Sequence, residues 1–508
     1  MTLPNWSAGY QVNREYGYVF SPHMAPANLL FTAAHRGVAT ATPANYRYFE
    51  LGCGFGLMSL LFAATNPDAE FWANDFMPDH VLEARSIAEE AELTNVQFLE
   101  KSFEELLDAD LPEFDVIALH GVYSWVNDAN RARIREFLRR HLKTGGLVYV
   151  SYNHPVGFAP IAPLRRLLNE ASSVASGSIE QRVQSAFELV ARLAKVEARY
   201  FEAIPHLEAG IEQLRKKRPS YLIHEFFNSA WSLCTHSEVA RDFKDAKLSY
   251  VASARLLEDL WQMVLTPEQI ALLRTIPDRT LQEDAKDFIL NTNLRRDLFA
   301  RGLRARSNQE RRAHLLDMRF ALTLPRDQCA HEVKSPLGKI TLLEHVHTPL
   351  LDALAEEPHT LRRLTEAPSL ARLGPDAIVH GVLALVAAGY ASPALPESLS
   401  ERAVSGAQRF NRVAARRSTG PRPLPCLASA VLGSGVPVST VGQLFHEGSA
   451  GERSLPEHAW ARLSGAGQSV SRDGVRLEGT DASLAELRHL ATDFARSQQP
   501  TLRQLGVA

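Results

Sequence analysis

The sequence predicts an α/β domain built on a parallel sheet, followed by mainly helical domains, and three observations carry that prediction. Glu50-Leu51-Gly52-Cys53-Gly54-Phe55-Gly56 puts an acid and three alternating glycines where an apolar strand should turn into a helix. Asp75 closes the next apolar run, 19 residues beyond Gly56. Leu142-Lys143-Thr144-Gly145-Gly146 then leads into a further apolar run at 147–151.

Taken in order, the elements favour a nucleotide-type ligand. Glycines at 52, 54 and 56 let the backbone turn tightly and approach a ligand that a Cβ would keep away. Asp75 follows the strand Phe71-Trp72-Ala73-Asn74 at the distance where β-α-β units set a carboxylate against two ribose hydroxyls. Its alternative roles are a helix cap or a turn residue. The spacing G-x-G-x-G differs from the G-x-G-x-x-G of a phosphate loop. Glu50, just ahead of it, suits a cationic amino-acid ligand better than a pyrophosphate. Val96-Gln97-Phe98-Leu99 gives a third strand, 114–119 a fourth and 147–151 a fifth.

This succession of strand, glycine loop, helix, acid-tipped strand and L-K-x-G-G turn resembles the class I S-adenosylmethionine-dependent methyltransferases. The resemblance implies a Rossmann-like sheet and S-adenosyl-L-methionine as cofactor. Four further segments narrow it: Tyr16-Gly17-Tyr18, the run from His120 to Val126, Ser151-Tyr152-Asn153, and the run from Tyr221 to Asn228. They are similar to bacterial methyltransferases carrying a methyltransferase regulatory domain, among them rickettsial protein lysine methyltransferases that modify an outer-membrane protein. That likeness implies a homodimer and a protein substrate. His154-Pro155-Val156-Gly157-Phe158 departs from the proline, glycine and tryptophan run more usual there, and the carboxy-terminal part is the least specific.

On this reading the cofactor is held by Glu50, Gly52, Cys53, Gly54, Gly56 and Asp75. Phe76 stacks on the adenine, Ser102 and Phe103 lie after strand three where the family meets the adenine, and Tyr16 and Tyr18 cover the site from the amino-terminal arm. Ser102 stands where an acid is usual. His120 faces the methionine part or acts as a base. Candidates for the acceptor pocket are Tyr123 and Trp125 after strand four and Tyr152 with Asn153 after strand five, at the carboxyl ends of strands where open α/β sheets bind ligands. An aromatic pocket would disfavour an ammonium and tolerate cationic methylated products. Tyr123 and Trp125 are alternatively core aromatics, and His120 a buried structural histidine.

With 508 residues, 45% apolar and 22% charged, the chain is long enough for several domains. These are read as 1–165 for the cofactor domain with its arm, 166–206 as a helical connector, 207–318 as a helical regulatory domain, and 319–508 as a winged-helix-like and loop-rich domain. The net charge of −3 gives no electrostatic case for bulk nucleic acid. Nor does the run 375–388 carry the polar residues of a DNA-reading helix. Four scattered cysteines suit neither zinc nor disulfides. His224-Glu225 lacks the second histidine of a zinc motif, with Asn228 in its place, so no metal is expected. Without a signal-like start or a membrane-length apolar run, a cytoplasmic location is expected. Three functions follow: a protein lysine N-methyltransferase, a small-molecule N- or O-methyltransferase, or a non-catalytic S-adenosylmethionine-binding regulator.

Overall fold

The computed structural model describes residues 17–40, 45–217, 219–228, 230–449, 451 and 453–507. Five short apolar runs become parallel strands because both of their faces are covered. They are β1 (Arg47–Leu51), β2 (Glu70–Asp75), β3 (Val96–Glu100), β4 (Phe114–Leu119) and β5 (Leu142–Asn153). Between them run α2 (Leu57–Thr65), α3 (Pro78–Glu90), α4 (Phe103–Leu107) and α5 (Asp128–His141), while α1 (Pro26–His35) precedes the sheet.

Two more strands complete the sheet, β6 (Leu248–Ser253) and β7 (Leu294–Arg301), giving the order β3-β2-β1-β4-β5-β7-β6. β7 runs antiparallel to both β5 and β6. This corrects the wholly helical reading of residues 207–318. The alternation of β7 is hidden because the side chains it buries at Arg295 and Asp297 are charged, at 3% and 1% exposure. Their burial is possible because they bond one another and further buried partners, and hydropathy patterns do not register that.

Between β5 and β6 the chain makes a helical insertion. Helices Ala162–Val174, Ile179–Lys195, Leu207–Arg215 and Pro219–Phe227 bury Leu164, Leu168, Val183, Phe187, Val190 and Leu222 against one another. Beyond β7, strands Arg319–Leu322, His359–Thr360 and Ala391–Ala394 form a small antiparallel sheet beside helices Glu344–Glu356, Leu361–Glu366 and Pro375–Ala387. The helix Pro375–Ala387 turns Ile378, Val382 and Leu385 inward.

The long helix Glu397–Arg417 then packs on α2, whose residues are all buried. Gly406 lies against the Ala64 carbonyl, where a Cβ would clash with backbone. The tail, expected as loops around small helices, also contains a hairpin, Cys426–Ser429 with Ser434–Pro437, and packs into the same core as α2 and α3. Among the described residues no helix is long and apolar enough to cross a membrane.

Candidate functional site

The carboxyl ends of β1, β2, β4 and β5 open onto a cavity of about 290 Å³. The glycine loop forms its floor. Gly52, Gly54 and Gly56 have φ of 67°, 55° and 70°, a left-handed region that favours glycine. A Cβ on Gly52 would meet Val122 at 2.7 Å, and one on Gly56 would meet Phe98 at 2.5 Å. At Gly54 the space is open, so bare backbone faces the cavity.

Asp75 holds this loop as well as lining the cavity. Its Oδ2 accepts from Gly54 N–H at 2.9 Å, and its Oδ1 accepts from Met77 N–H at 3.0 Å and lies 3.2 Å from His80 Nδ1. Glu50 lines the cavity too, and its carboxylate accepts from the backbone N–H of Ser59 at 3.1 Å and from the Ser59 hydroxyl. Burial pushes its carboxyl up to about 7, so its charge depends on what comes close to it. Cys53 is kept a neutral thiol by burial and by the nearby Asp75 and Glu50.

Tyr18, Phe76, Phe103 and His120 also line this cavity, whereas Tyr16 lies outside the described residues. Ser102 does not line it. Its hydroxyl and Glu105 form a capping box at the start of α4. Tyr18 donates to Glu83 at 3.0 Å and tilts against Phe55, over which Arg422 lies at 4.2 Å. Glu83 is also 2.7 Å from Arg417, so the carboxy-terminal region reaches the rim of the loop. Separations of several hundred residues gave the sequence no signal for that contact.

On the opposite side the structure separates the four aromatic and histidine candidates. Trp125 and His120 line the cavity, but Tyr123 and Tyr152 do not. Tyr123 is fully buried, donates to Asp242 at 2.5 Å and packs edge-on against Phe243. Tyr152 donates to Asp297 on the far side of β5. The pleat explains this, since Ser151 and Asn153 face the cavity and the residue between them must face away. His120 bonds Tyr149 through Nδ1 at 2.9 Å, and burial with the Arg296 charge lowers it to about 4, leaving a neutral, weakly basic imidazole.

Asn228 and Glu225 complete this side, brought by the end of helix Pro219–Phe227. Arg165 secures them, donating to the Glu225 carbonyl at 3.0 Å and the Asn228 carbonyl at 2.7 Å while lying over Trp231 at 4.2 Å. Asn153 Nδ2 and Asn228 Oδ1 are buried side-chain atoms with no hydrogen-bond partner among the described residues. Such atoms are costly unless a ligand meets them. The side chain of His224 lies outside the described residues. Among the described residues His154, Asp284 and Asp287 come together with metal-ligand spacing, and Asp287 is paired with Arg295 at 2.7 Å.

The residues present suit a nucleoside bearing an amino acid. The loop offers bare backbone at Gly54, Asp75 a carboxylate, Phe76 and Phe103 apolar faces, and Glu50 an acid that a cationic amine would charge.

Comparison with known proteins agrees with this geometry. Residues 49–146 match the family described as "Methyltransferase domain" and residues 218–301 the "Predicted methyltransferase regulatory domain". The second match spans β6 and β7. An uncharacterized Synechocystis protein is 33% identical over 504 residues, covering 99% of this chain and 100% of its own. An uncharacterized protein of Rickettsia prowazekii is 26% identical over 275 residues, 54% of this chain and 49% of that one. PKMT2 from Rickettsia typhi, solved in complex with AdoHcy, shares the fold with a TM-score of 0.72 at 16% identity, over 97% of this chain and 100% of that one.

Proposed function

Because the chain belongs to the class I S-adenosylmethionine-dependent methyltransferases that carry a methyltransferase regulatory domain, we propose that its acceptor is an amine, the ε-amino group of a protein lysine. S-adenosylmethionine is its cofactor and supplies the methyl group from a sulfonium. Asp75 would hold the ribose hydroxyls, Glu50 the amino group, and Phe76 with Phe103 the adenine.

The observation that carries the amine reading is the unpaired, buried Oδ1 of Asn228, a residue that lines the cavity as Trp125 does. A carbonyl oxygen accepts a hydrogen from a neutral amine and so aims its lone pair. The indole face of Trp125 tolerates the cationic product. Loss of the ammonium proton is favoured by the apolar walls, with Glu225 as the carboxylate at the edge of the site. His120, held neutral, orients rather than takes a proton. The likeness to rickettsial protein lysine methyltransferases, and the fold shared with PKMT2 of Rickettsia typhi, favour lysine over other amines.

Incubation with labelled S-adenosylmethionine and bacterial lysate tests this. Label in a protein band that survives base treatment is expected. Label confined to small molecules would replace lysine by a metabolite acceptor, and cofactor binding without any transfer would point to a regulatory protein.

A further inference from the structure

A second cavity, of about 420 Å³, adjoins the first and shares Asn153, Glu225 and Leu294 with it. On the reading above those three residues lie on the acceptor side of the first cavity, which would put the second cavity behind the acceptor. Its lining is largely polar and includes Ser253, Arg255, Asn293 and Arg296, with the carboxylates of Glu258 and Asp287 already paired with Arg255 and Arg295.

The two adjacent arginines of β7 point to opposite faces of the strand and meet opposite fates. Arg295 is claimed by Glu283 at 3.0 Å, Asp287 at 2.7 Å and Asp297 at 3.0 Å. Arg255, on the same wall as Arg296, has Glu258 at 3.4 Å. Arg296 is half-buried, and among the described residues no carboxylate lies within ion-pair distance of it. It is near His23 and His120, which burial and its own charge keep uncharged, so they do not neutralise it. A guanidinium stays ionised at any ordinary pH, and a counter-ion brought by a ligand would relieve its partial desolvation. Asn153 lines both cavities, and its Nδ2 is a buried donor with no hydrogen-bond partner among the described residues.

We propose that the second cavity receives the body of the acceptor and that Arg296, with Asn153 Nδ2, binds a carboxylate on it, so that the preferred acceptor carries an amine and a neighbouring acid. The inference rests on the lysine reading above. The acid is either a side chain next to the target lysine in a polypeptide or the α-carboxylate of free lysine.

Two peptides that differ only in Glu-Lys-Glu or Gln-Lys-Gln at the centre, together with free L-lysine, separate these sources when assayed with labelled S-adenosylmethionine. Wild type is expected to favour the acidic peptide over the neutral one by about tenfold or more in kcat/KM, through KM. Arg296→Gln should erase that preference and Arg296→Glu should shift it to an Arg-Lys-Arg peptide, while AdoHcy affinity measured by calorimetry stays within about twofold. Faster labelling of free lysine than of either peptide, again lost in Arg296→Gln, would assign the carboxylate to a small acceptor. Equal use of both peptides by wild type, or a loss of AdoHcy affinity in Arg296→Gln as large as the loss of transfer, overturns the proposal. If wild type labels no lysine compound, the lysine reading fails, and glutarate titrated into the AdoHcy complex decides the anion site alone. Binding by wild type but not by Arg296→Gln keeps the site, and absence of binding to wild type removes it.

Discussion

Two buried polar regions share β5, and they are built by opposite rules. On one face, Arg295, Asp287, Asp297, Glu283, Lys286, His236 and Tyr152 form a network in which each charge has partners. On the other, Asn153 Nδ2 and Asn228 Oδ1 are unpaired among the described residues, and burial raises the Glu50 carboxyl to about 7. Complete pairing fixes a structure, and incomplete pairing leaves groups for a ligand to satisfy. The same contrast separates Arg295 from Arg296 within one strand.

Breaking the paired region should have the largest effect. Arg295→Met leaves Glu283, Asp287 and Asp297 without their shared cation, and a loss of about 3–5 kcal/mol in unfolding free energy is expected from urea titration. Asp75→Ala removes the cradle of the glycine loop, and AdoHcy affinity measured by calorimetry should fall by about 1.5–3 kcal/mol. Unchanged affinity would refute the ribose assignment.

A pair of substitutions sharpens the comparison directly. Asn228→Ala should lower methyl transfer by about tenfold while AdoHcy affinity is kept and stability changes by less than about 1 kcal/mol, because no internal bond is lost. Tyr152→Phe should do the reverse, costing about 1–3 kcal/mol of stability with turnover retained. If Tyr152→Phe abolishes turnover at a temperature where the protein remains folded, the division of the two faces of β5 is wrong.

The effects of pH have opposite signs in the two regions. Glu50 is raised by burial to about 7 from 4.5, so its contribution to stability is full below pH 4.5 and is lost as pH rises through 7. Glu283 is lowered to about 2 despite burial, by Lys286 and Arg295, so its contribution is present above pH 4.5 and is lost as pH falls towards 2. Thermal melts of the free protein should therefore lose a slope between pH 5 and 7 in Glu50→Gln and keep the acid limb. AdoHcy, which brings a cationic amine, should bind more tightly as pH rises towards 7, and Glu50→Gln should flatten that rise.

The parts of this molecule legible in sequence are those governed by local chemistry. Glycines that require positive φ, an acid at a strand end and apolar runs announced the loop, Asp75 and β1 to β5. The pleat of β5 was equally available: Asn153 facing a ligand already sends Tyr152 elsewhere. β7 was hidden because its buried positions are charged, and a buried charge is recognisable only beside its partners, which come from residues 236, 283 and 287. Asn228 stands in sequence only where a metal motif would have its second histidine, and nothing in its local sequence reveals that it lines the cavity. The approach of Arg417 and Arg422 to Glu83 and Phe55 belongs to the packing of distant elements, which no local pattern encodes.

The sheet order also constrains how the protein is made. When β5 leaves the ribosome its outer edge has no partner, and it stays open until residues 294–301 arrive to pair with residues 147–153. Throughout that interval the nascent chain must fold the helical insertion while an apolar parallel sheet is exposed at one edge, a setting for slow, aggregation-prone folding. A fragment ending near residue 165 would retain the whole glycine loop and Asp75 yet keep that edge permanently, and it should accumulate as insoluble material rather than as a minimal cofactor-binding unit.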